Sequence, residues 1–204
     1  MHCDTLTECM DDGDSLLKNE RDIDFERGKI FGRWNQVFAV FIPDSMDDSL
    51  VESYFDSACD FYLSELKKKG DVFPILSSED VRGHSRGVML AMESSRGVGS
   101  LERLEKLYER GLRLITLTWN HKNRAAGGCD EGGGLTDWGR ELVAKMEKLG
   151  IVTDVSHLSD RSFYDLCEFS DAPFIASHSD ARAVHNEVRS LTDEQIKLSL
   201  NAAD

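Results

Sequence analysis

The sequence lacks the marks of several broad protein classes. No window approaches the roughly 18 consecutive apolar residues that a membrane span needs, and the N-terminus has neither the basic start nor the apolar stretch of a signal peptide. Basic residues are also few, since 24 Lys and Arg stand against 38 Asp and Glu, a formal net charge of −14. Because phosphates repel such a chain, we expect no nucleic-acid partner, no membrane partner and a cytoplasmic location.

Familiar short motifs are missing as well. The five cysteines include no CxxC pair, so they are expected to be scattered reduced thiols rather than a disulfide frame or a zinc finger. The glycine-rich segment 125–134 has neither the spacing nor the lysine of a phosphate-binding loop, which favours a flexible loop over a site. No repeat or linker divides the chain, and residues 1–204 are predicted to form one domain.

Apolar runs alternate with amphipathic segments along the chain. Strands are predicted at 36–42, 87–92, 112–117, 151–155 and 173–177, and a first strand is represented by its end at residues 2–4. Helices are predicted at 44–70, 101–110, 142–149, 163–169 and 190–204, with a long loop over 8–33 that contains one short helical turn. This alternation predicts an α/β fold with a parallel sheet.

The number of strands indicates an incomplete barrel. A TIM-like (β/α)8 barrel needs about 250 residues, whereas this chain has 204 and about six strands. We therefore expect that the last two β/α units are absent and that the first strand is clipped. Missing strands would expose sheet edges and apolar helix faces, so the chain is predicted to be a homo-oligomer or part of a larger polypeptide.

Carboxylates stand at the ends of two predicted strands. His2 and Asp4 are two residues apart, so on an extended strand both side chains leave one face and can reach one ion. Glu93 ends the run 87–92, where a buried carboxylate is costly unless it is compensated. It is a candidate to bridge two metals, although it could instead cap the following helix or lie in water.

Two histidines follow successive apolar runs in the same way. His157 comes after 151–155 and His178 after 173–177. One buried histidine is more often a hydrogen-bonded core residue than a ligand, but the pair together with His2, Asp4 and Glu93 favours a metal site. Imidazole and carboxylate are donors that zinc accepts, and the set suffices for two Zn²⁺ ions. Two such ions can hold a hydroxide and polarise a carbonyl, which predicts amide hydrolysis.

Six passages carry a family resemblance: HCDTL at 2–6, AMES at 91–94, LTWNHKN at 117–123, GLTDWG at 134–139, LGIVTDVSHLSD at 149–160 and APFIASHSDAR at 172–182. Together they resemble the membrane (renal) dipeptidase family, and more closely its bacterial cytosolic branch. The resemblance implies a barrel of the amidohydrolase type and a zinc-dependent dipeptidase that uses a metal-bridging hydroxide. It also implies that His2, Asp4 and Glu93 hold one zinc ion, and that Glu93, His157 and His178 hold the other.

The resemblance further implies roles in substrate binding. Arg189 would bind the carboxylate of the dipeptide, since a guanidinium pairs with a carboxylate through two parallel hydrogen bonds. Taken alone, Arg189 could equally be a surface charge. Where better-known relatives have a substrate-binding histidine, this chain has Trp119, so carbonyl or oxyanion contacts are expected from Asn120 or His121. By position alone His121 is a loop residue.

Two alternatives stay open. The family's proton-transfer aspartate would lie beyond Asp204, so the chain could be a catalytically impaired metal-binding fragment with a role in assembly or binding. It could also be another amidohydrolase-like enzyme that acts on a different amide or a lactam.

Overall fold

The computed structural model describes residues 2–68 and 71–201. Within them the fold is organised around parallel strands. They are β1 (His2–Cys3), β2 (Trp34–Phe41), β3 (Phe73–Pro74), β4 (Arg86–Glu93), β5 (Leu112–Thr116), β6 (Val152–Asp154) and β7 (Phe174–Ile175). Six of them lie in the order β1-β2-β4-β5-β6-β7, and β3 pairs with the beginning of β4. Every pairing is parallel, so all carboxyl ends meet at one edge.

Helices connect the strands and cover the outer face of the sheet. They are α1 (Thr5–Asp12), α2 (Phe25–Gly28), α3 (Asp48–Lys67), α4 (Ser78–Gly83), α5 (Leu101–Glu109), α6 (Asp137–Leu149), α7 (Asp160–Phe169) and α8 (Asp193–Asn201), with a 3₁₀ turn at Ser95–Val98. A side-chain oxygen accepts a hydrogen bond from a first-turn backbone N–H at seven helix starts, namely Asp24, Asp47, Ser77, Ser100, Thr136, Ser159 and Thr192. Each such cap stabilises its helix by about 1 kcal/mol.

Alternate residues of each strand face opposite layers of the core. Phe38 and Val40 of β2 pack with the helices, whereas Val37 and Ala39 join a second cluster with Ala91 and Leu114 on the inner face. Burial on both faces is typical of parallel sheets. The sheet curls into a half-barrel, with the second cluster on its concave side.

The same alternation places polar side chains inside the half-barrel. Glu93 has the parity of Ala91, Thr116 that of Leu114, and Asp154 that of the partly buried Val152. All three polar residues stand at the carboxyl ends of their strands, and all three are buried. The inner face is therefore apolar in its middle and polar at one rim.

The predicted α/β half-barrel is confirmed, including each of the six predicted strands, with small shifts in their bounds. The expectation of a loop over 8–33 was wrong at its start, because Leu6 and Cys9 form a buried helical face in α1 that ends at Gly13 in the left-handed conformation, φ 74°. The polar connection before β4 also contains β3 and α4.

The helix predicted at 44–70 begins later, at Asp48, because the Asp47 side chain accepts the hydrogen bond that caps it. Its predicted end at residues 69–70 falls outside the described residues. The last helix begins at Asp193, after Thr192, and its predicted end at 202–204 also falls outside them. No helix in the described part of the chain is long and apolar enough to cross a lipid bilayer.

Candidate metal centre

Five of the sequence-predicted residues converge on the carboxylate of Glu93 at the polar rim. Glu93 Oε2 lies 3.0 Å from His2 Nε2, and Oε1 lies 3.1 Å from His157 Nε2 and 3.4 Å from His178 Nε2. Asp4 Oδ1 is 3.3 Å from His2 Nε2. The groups lie at or shortly after the ends of four strands, and the buried Glu93 carboxylate joins three imidazoles, of which His2 also contacts Asp4.

The backbone around the cluster adopts an uncommon conformation at two places. Ser94, directly after Glu93, has φ 81°, and His157 has φ 68°. Residues with a side chain rarely occupy this region, at a cost of roughly 1–3 kcal/mol each. Hydrogen bonds hold both positions: Ser94 N donates to Thr116 O at 3.1 Å, and the carbonyl of His157 accepts from Cys129 N at 2.9 Å.

Asp4 faces the cluster because its side chain is not used as a helix cap. It immediately precedes α1, a position where an aspartate normally bonds a first-turn N–H, yet its carboxylate makes no such bond. Its buried Oδ1 contacts His2 Nε2 at 3.3 Å, a nitrogen that lies closer to Glu93, and forms no well-aligned hydrogen bond among the described residues. A buried oxygen that is satisfied this weakly costs free energy that a cation would recover.

The charges at the site are strongly coupled. Burial lowers the pKa of His2, but hydrogen bonds and charges from Asp4 and Glu93 outweigh it and raise that pKa to about 9. Burial raises the pKa of Glu93, but the close contacts of its carboxylate with the imidazoles of His157, His178 and His2 hold that pKa well below its usual value. The site therefore presents a fixed negative charge that a proton on His2 or a bound cation balances.

Contacts behind His157 define its protonation. Its Nδ1 lies 2.8 Å from Asn120 Oδ1, an acceptor, and Arg189 Nη2 donates to its Nε2 at 3.1 Å. A guanidinium has no acceptor, so His157 Nε2 carries a lone pair and Nδ1 carries the proton. Arg189 also donates to the carbonyl of His178 at 3.1 Å, while its buried Nε has no partner among the described residues. That N–H is a donor available to an anion.

The remaining predicted residues lie at different distances from the cluster. Trp119 packs edge-on against Phe41, ring centroids 5.0 Å apart, and its ring centroid is 6.3 Å from that of His157. His121 instead pairs with Asp44, Nδ1 to Oδ2 2.7 Å, and lines a separate outer cavity of about 770 Å³. The structure thus brings Trp119, Asn120 and Arg189 to the cluster and leaves His121 outside it. Their catalytic roles stay predictions.

The glycine-rich segment 125–134 is packed, contrary to the expectation of a flexible loop. Gly127 N donates to Ser162 Oγ at 2.9 Å, and Asp130 N donates to Asn120 O at 2.9 Å. A Cβ on Gly128 would lie 2.5 Å from Asn120 O. The glycines therefore permit close backbone packing behind Asn120 and His157.

Sequence reasoning missed Asp154 and Ser177. Asp154 is fully buried and accepts hydrogen bonds from Thr116 Oγ1 at 2.9 Å, Ser177 Oγ at 2.6 Å, and the backbone N of Ser156 and Ser177 at 3.0 Å each. Ser177 Oγ also lies 2.7 Å from His178 Nδ1. The available signal was a carboxylate inside the apolar run 151–155, which period-two alternation turns inward.

The donor set fits a divalent metal ion. Ligand atoms of His2, Glu93 and His178 all lie within 4.8 Å of one another. The Nε2 atoms of His157 and His178 are 2.9 Å apart beside Glu93 Oε1, so lone pairs and a carboxylate face one another. Such a group of acceptors needs a positive charge among them, and imidazole with carboxylate suits zinc and similar ions.

A parallel half-barrel with these imidazoles and carboxylates at its carboxyl rim has the architecture of the α/β barrels whose sites lie at the carboxyl ends of the strands. Within that class, the chain belongs to the membrane dipeptidase family (peptidase family M19), whose model matches residues 1–202. The family resemblance found in the sequence is thereby confirmed, and the family implies a metal cofactor.

The chain is also similar to individual proteins. An uncharacterized protein in the PQQ-III 3′ region of Acinetobacter calcoaceticus is 31% identical over 129 residues, which cover 58% of this chain and 41% of that protein. The solved structure of dipeptidase AC, a metallo peptidase, has a TM-score of 0.88 at 24% identity, covering 98% of this chain and 68% of that chain.

A second solved structure has the same fold. It is a metallo peptidase from Rhodobacter sphaeroides liganded with a phosphinate mimic of the dipeptide L-Ala-D-Ala, with a TM-score of 0.88 at 22% identity, covering 99% of this chain and 70% of that chain. The chain thus spans less than half the length of the curated relative and about two thirds of each solved chain.

Proposed function

We propose that this chain carries the metal centre of a zinc-dependent dipeptidase. The observation that supports it most directly is Glu93, whose two oxygens contact His2 on one side and His157 and His178 on the other. That division suits a bridging carboxylate: His2, Asp4 and Glu93 would hold one Zn²⁺ ion, and Glu93, His157 and His178 the other. When bound, two such ions supply a hydroxide at neutral pH and polarise the peptide carbonyl.

The protein's own residues would bind and orient the substrate. Arg189, with its unpartnered buried Nε, would pair with the C-terminal carboxylate of the dipeptide. Trp119 would line the same space, beside His157. Asn120 would hold His157 with its Nε2 lone pair directed into the site, and Asn120 or His121 would contact the substrate carbonyl.

Two further properties belong to the proposal. A homo-oligomer is supported by exposed apolar side chains in the last part of the described chain, at Ile175, Val184, Val188 and Leu200, and by β7, which pairs on one side alone among the described strands. A cytoplasmic location and the lack of a nucleic-acid or membrane partner rest on the acidic composition. Light scattering of the purified protein after size exclusion measures the first, and a mass of one chain would contradict it.

Metal content and turnover together test the proposed function. The purified chain should contain close to two zinc ions by elemental analysis and should hydrolyse L,L or L,D dipeptides such as L-Ala-D-Ala. His157→Ala should abolish turnover, whereas His185→Ala, which removes an exposed imidazole from the neighbouring loop, should not. Zinc without turnover would favour the catalytically impaired fragment, and hydrolysis of other amides or lactams alone would favour the third alternative.

A well-folded wild-type chain that binds no metal would refute the proposal, because each ligand would then need another explanation.

A further inference from the structure

The hydroxyl of Ser177 stands between a buried carboxylate and two imidazoles of the site. It lies 2.6 Å from Asp154 Oδ2, 2.7 Å from His178 Nδ1 and 3.4 Å from His2 Nδ1. A hydroxyl has one proton to donate and two lone pairs to accept with. The neighbour that receives this proton therefore decides whether the ring nitrogens facing Ser177 must donate or accept a hydrogen bond.

Asp154 determines the direction in which the Ser177 hydroxyl donates its proton. Its Oδ1 accepts the backbone N–H groups of Ser156 and Ser177, and its Oδ2 accepts the hydroxyl of Thr116. A carboxylate only accepts, so the proton of Ser177 points to Oδ2. The lone pairs of Ser177 are left for the ring nitrogens, and His178 must then present an N–H at Nδ1.

The consequence appears at the opposite nitrogen of the ring. With the proton on Nδ1, a neutral His178 has a lone pair at Nε2, the atom that lies 3.4 Å from Glu93 Oε1. The longer contact from Ser177 also favours a proton on Nδ1 of His2, whose Nε2 lies 3.0 Å from Glu93 Oε2. One buried carboxylate thus sets the orientation of two rings on opposite sides of Glu93.

We propose that Asp154 and Ser177 are positioning residues that fix the Nδ1–H form of His178, and more weakly of His2, so that Nε2 is available to a metal ion. The inference rests on the proposed metal centre and adds to it a hydrogen-bond relay from Asp154 of strand β6 through Ser177 to His178. Substitution of a residue that hydrogen-bonds a metal-ligating histidine typically lowers metal affinity by about 10- to 100-fold.

A purely structural role is the competing explanation. Asp154 also ties the end of β5, through Thr116, to the residues after β7, through Ser177, so its loss could act on the fold alone. The two roles differ in one observable, because only the relay predicts which nitrogen of His178 carries the proton.

Asp154→Asn separates the two roles because it keeps the shape of the side chain and replaces one acceptor oxygen with a donor nitrogen. The amide oxygen can still accept the two backbone N–H groups, so the amide nitrogen would face Thr116 and Ser177. Ser177 would then accept from the amide and donate to His178 Nδ1, which places the ring proton on Nε2. We expect zinc affinity, measured by competition with a chromophoric chelator, to fall about 10- to 100-fold.

Imidazole ¹H–¹⁵N correlation spectra of the metal-free protein at mildly alkaline pH give a readout that needs no metal. The His178 signals, assigned by their loss in His178→Gln, should show the Nδ1–H form in the wild type and the Nε2–H form in Asp154→Asn. An Nε2–H form in the wild type, or unchanged zinc affinity in a folded Asp154→Asn, would overturn the inference.

Ser177→Ala tests the relay if Asp154→Asn fails to fold. It removes the hydroxyl while Asp154 keeps its other three hydrogen-bond donors, and the matched control Ser179→Ala removes a neighbouring hydroxyl that bonds Ser156 Oγ at 3.3 Å. Zinc affinity should fall only in Ser177→Ala, and equal effects would overturn the relay. A wild type that shows the Nδ1–H form but binds no zinc would refute the proposed function and leave the relay standing.

Discussion

Glu93 Oε1 lies 3.1 Å from His157 Nε2, although Glu93 ends strand β4 and His157 follows strand β6, and β5 lies between these two strands. The contact crosses the concave side of the half-barrel. It requires the curl of the sheet, the inward parity of Glu93 and the left-handed backbone at His157, φ 68°.

Replacing the central carboxylate should remove metal binding. Glu93→Gln keeps the volume but loses the charge that faces three imidazoles, so zinc affinity should fall more than the roughly 100-fold expected for a residue behind the ligands. Elemental analysis after dialysis measures it. Glu141→Gln, an exposed carboxylate on α6, is the matched control and should retain full zinc content. Equal zinc content in Glu93→Gln would contradict the bridging role.

Arg189→Lys should weaken substrate binding more than catalysis. Lysine keeps the charge but loses the planar pair of donors, and a hydrogen bond to a charged group contributes about 1.5–3 kcal/mol, so KM for a dipeptide should rise roughly 10- to 100-fold. Steady-state kinetics measure it. A dipeptide amide, which has no carboxylate, is the control substrate, and its hydrolysis should be insensitive to the substitution. Equal losses for both substrates would contradict carboxylate binding.

Gly128→Ala should disturb the packing behind the site. Its Cβ would lie 2.5 Å from the carbonyl oxygen of Asn120, a backbone atom that cannot rotate away, so we expect a loss of about 1–3 kcal/mol in the free energy of unfolding. Urea denaturation measures this quantity. Gly83→Ala is the matched control, since nothing lies within 4 Å of its Cβ. Unchanged stability in Gly128→Ala would contradict the close backbone contact between Gly128 and Asn120.

The ion pair between Asp160 and Arg182 should give a pH-dependent contribution to stability. Arg182 donates to both oxygens of Asp160 at 2.7 and 2.8 Å and also binds the carbonyls of Val188 and Ser190, on either side of Arg189. The hydrogen bonds from Arg182 lower the pKa of Asp160. Because the folded pKa lies below the unfolded one, the pair stabilises the fold above pH about 4 and loses this effect as pH falls through the folded value.

Asp160→Asn measures that contribution. Since the Asp160 side chain is 49% exposed, the difference in unfolding free energy from wild type should not exceed about 1 kcal/mol at neutral pH, and it should shrink in acid. Urea titrations at several pH values measure it. A difference that stays constant or grows as pH falls would contradict the assigned sign.

Much of the candidate site could be predicted because its ligands follow strands that local patterns reveal. The runs before His157 and His178 are apolar and short, and parallel strands bring their ends together whatever lies between them. Asn120 and Arg189 were identified through family resemblance, but their contacts with His157 were not, since both side chains come from irregular segments whose path no periodicity describes. Asp154 was missed because the apolar run around it concealed a single inward carboxylate.

The sequence by itself determined the α/β alternation, the parallel sheet and the set of candidate metal-binding side chains, because these depend on periods of two and 3.6 residues and on which side chains can donate electron pairs. Only the tertiary structure decided that Glu93 would be shared among three histidines, that 125–134 would be packed, and that Ser177 would face Asp154. These depend on distances between residues far apart in the chain, which are set by the curl of the sheet and the close packing of its loops.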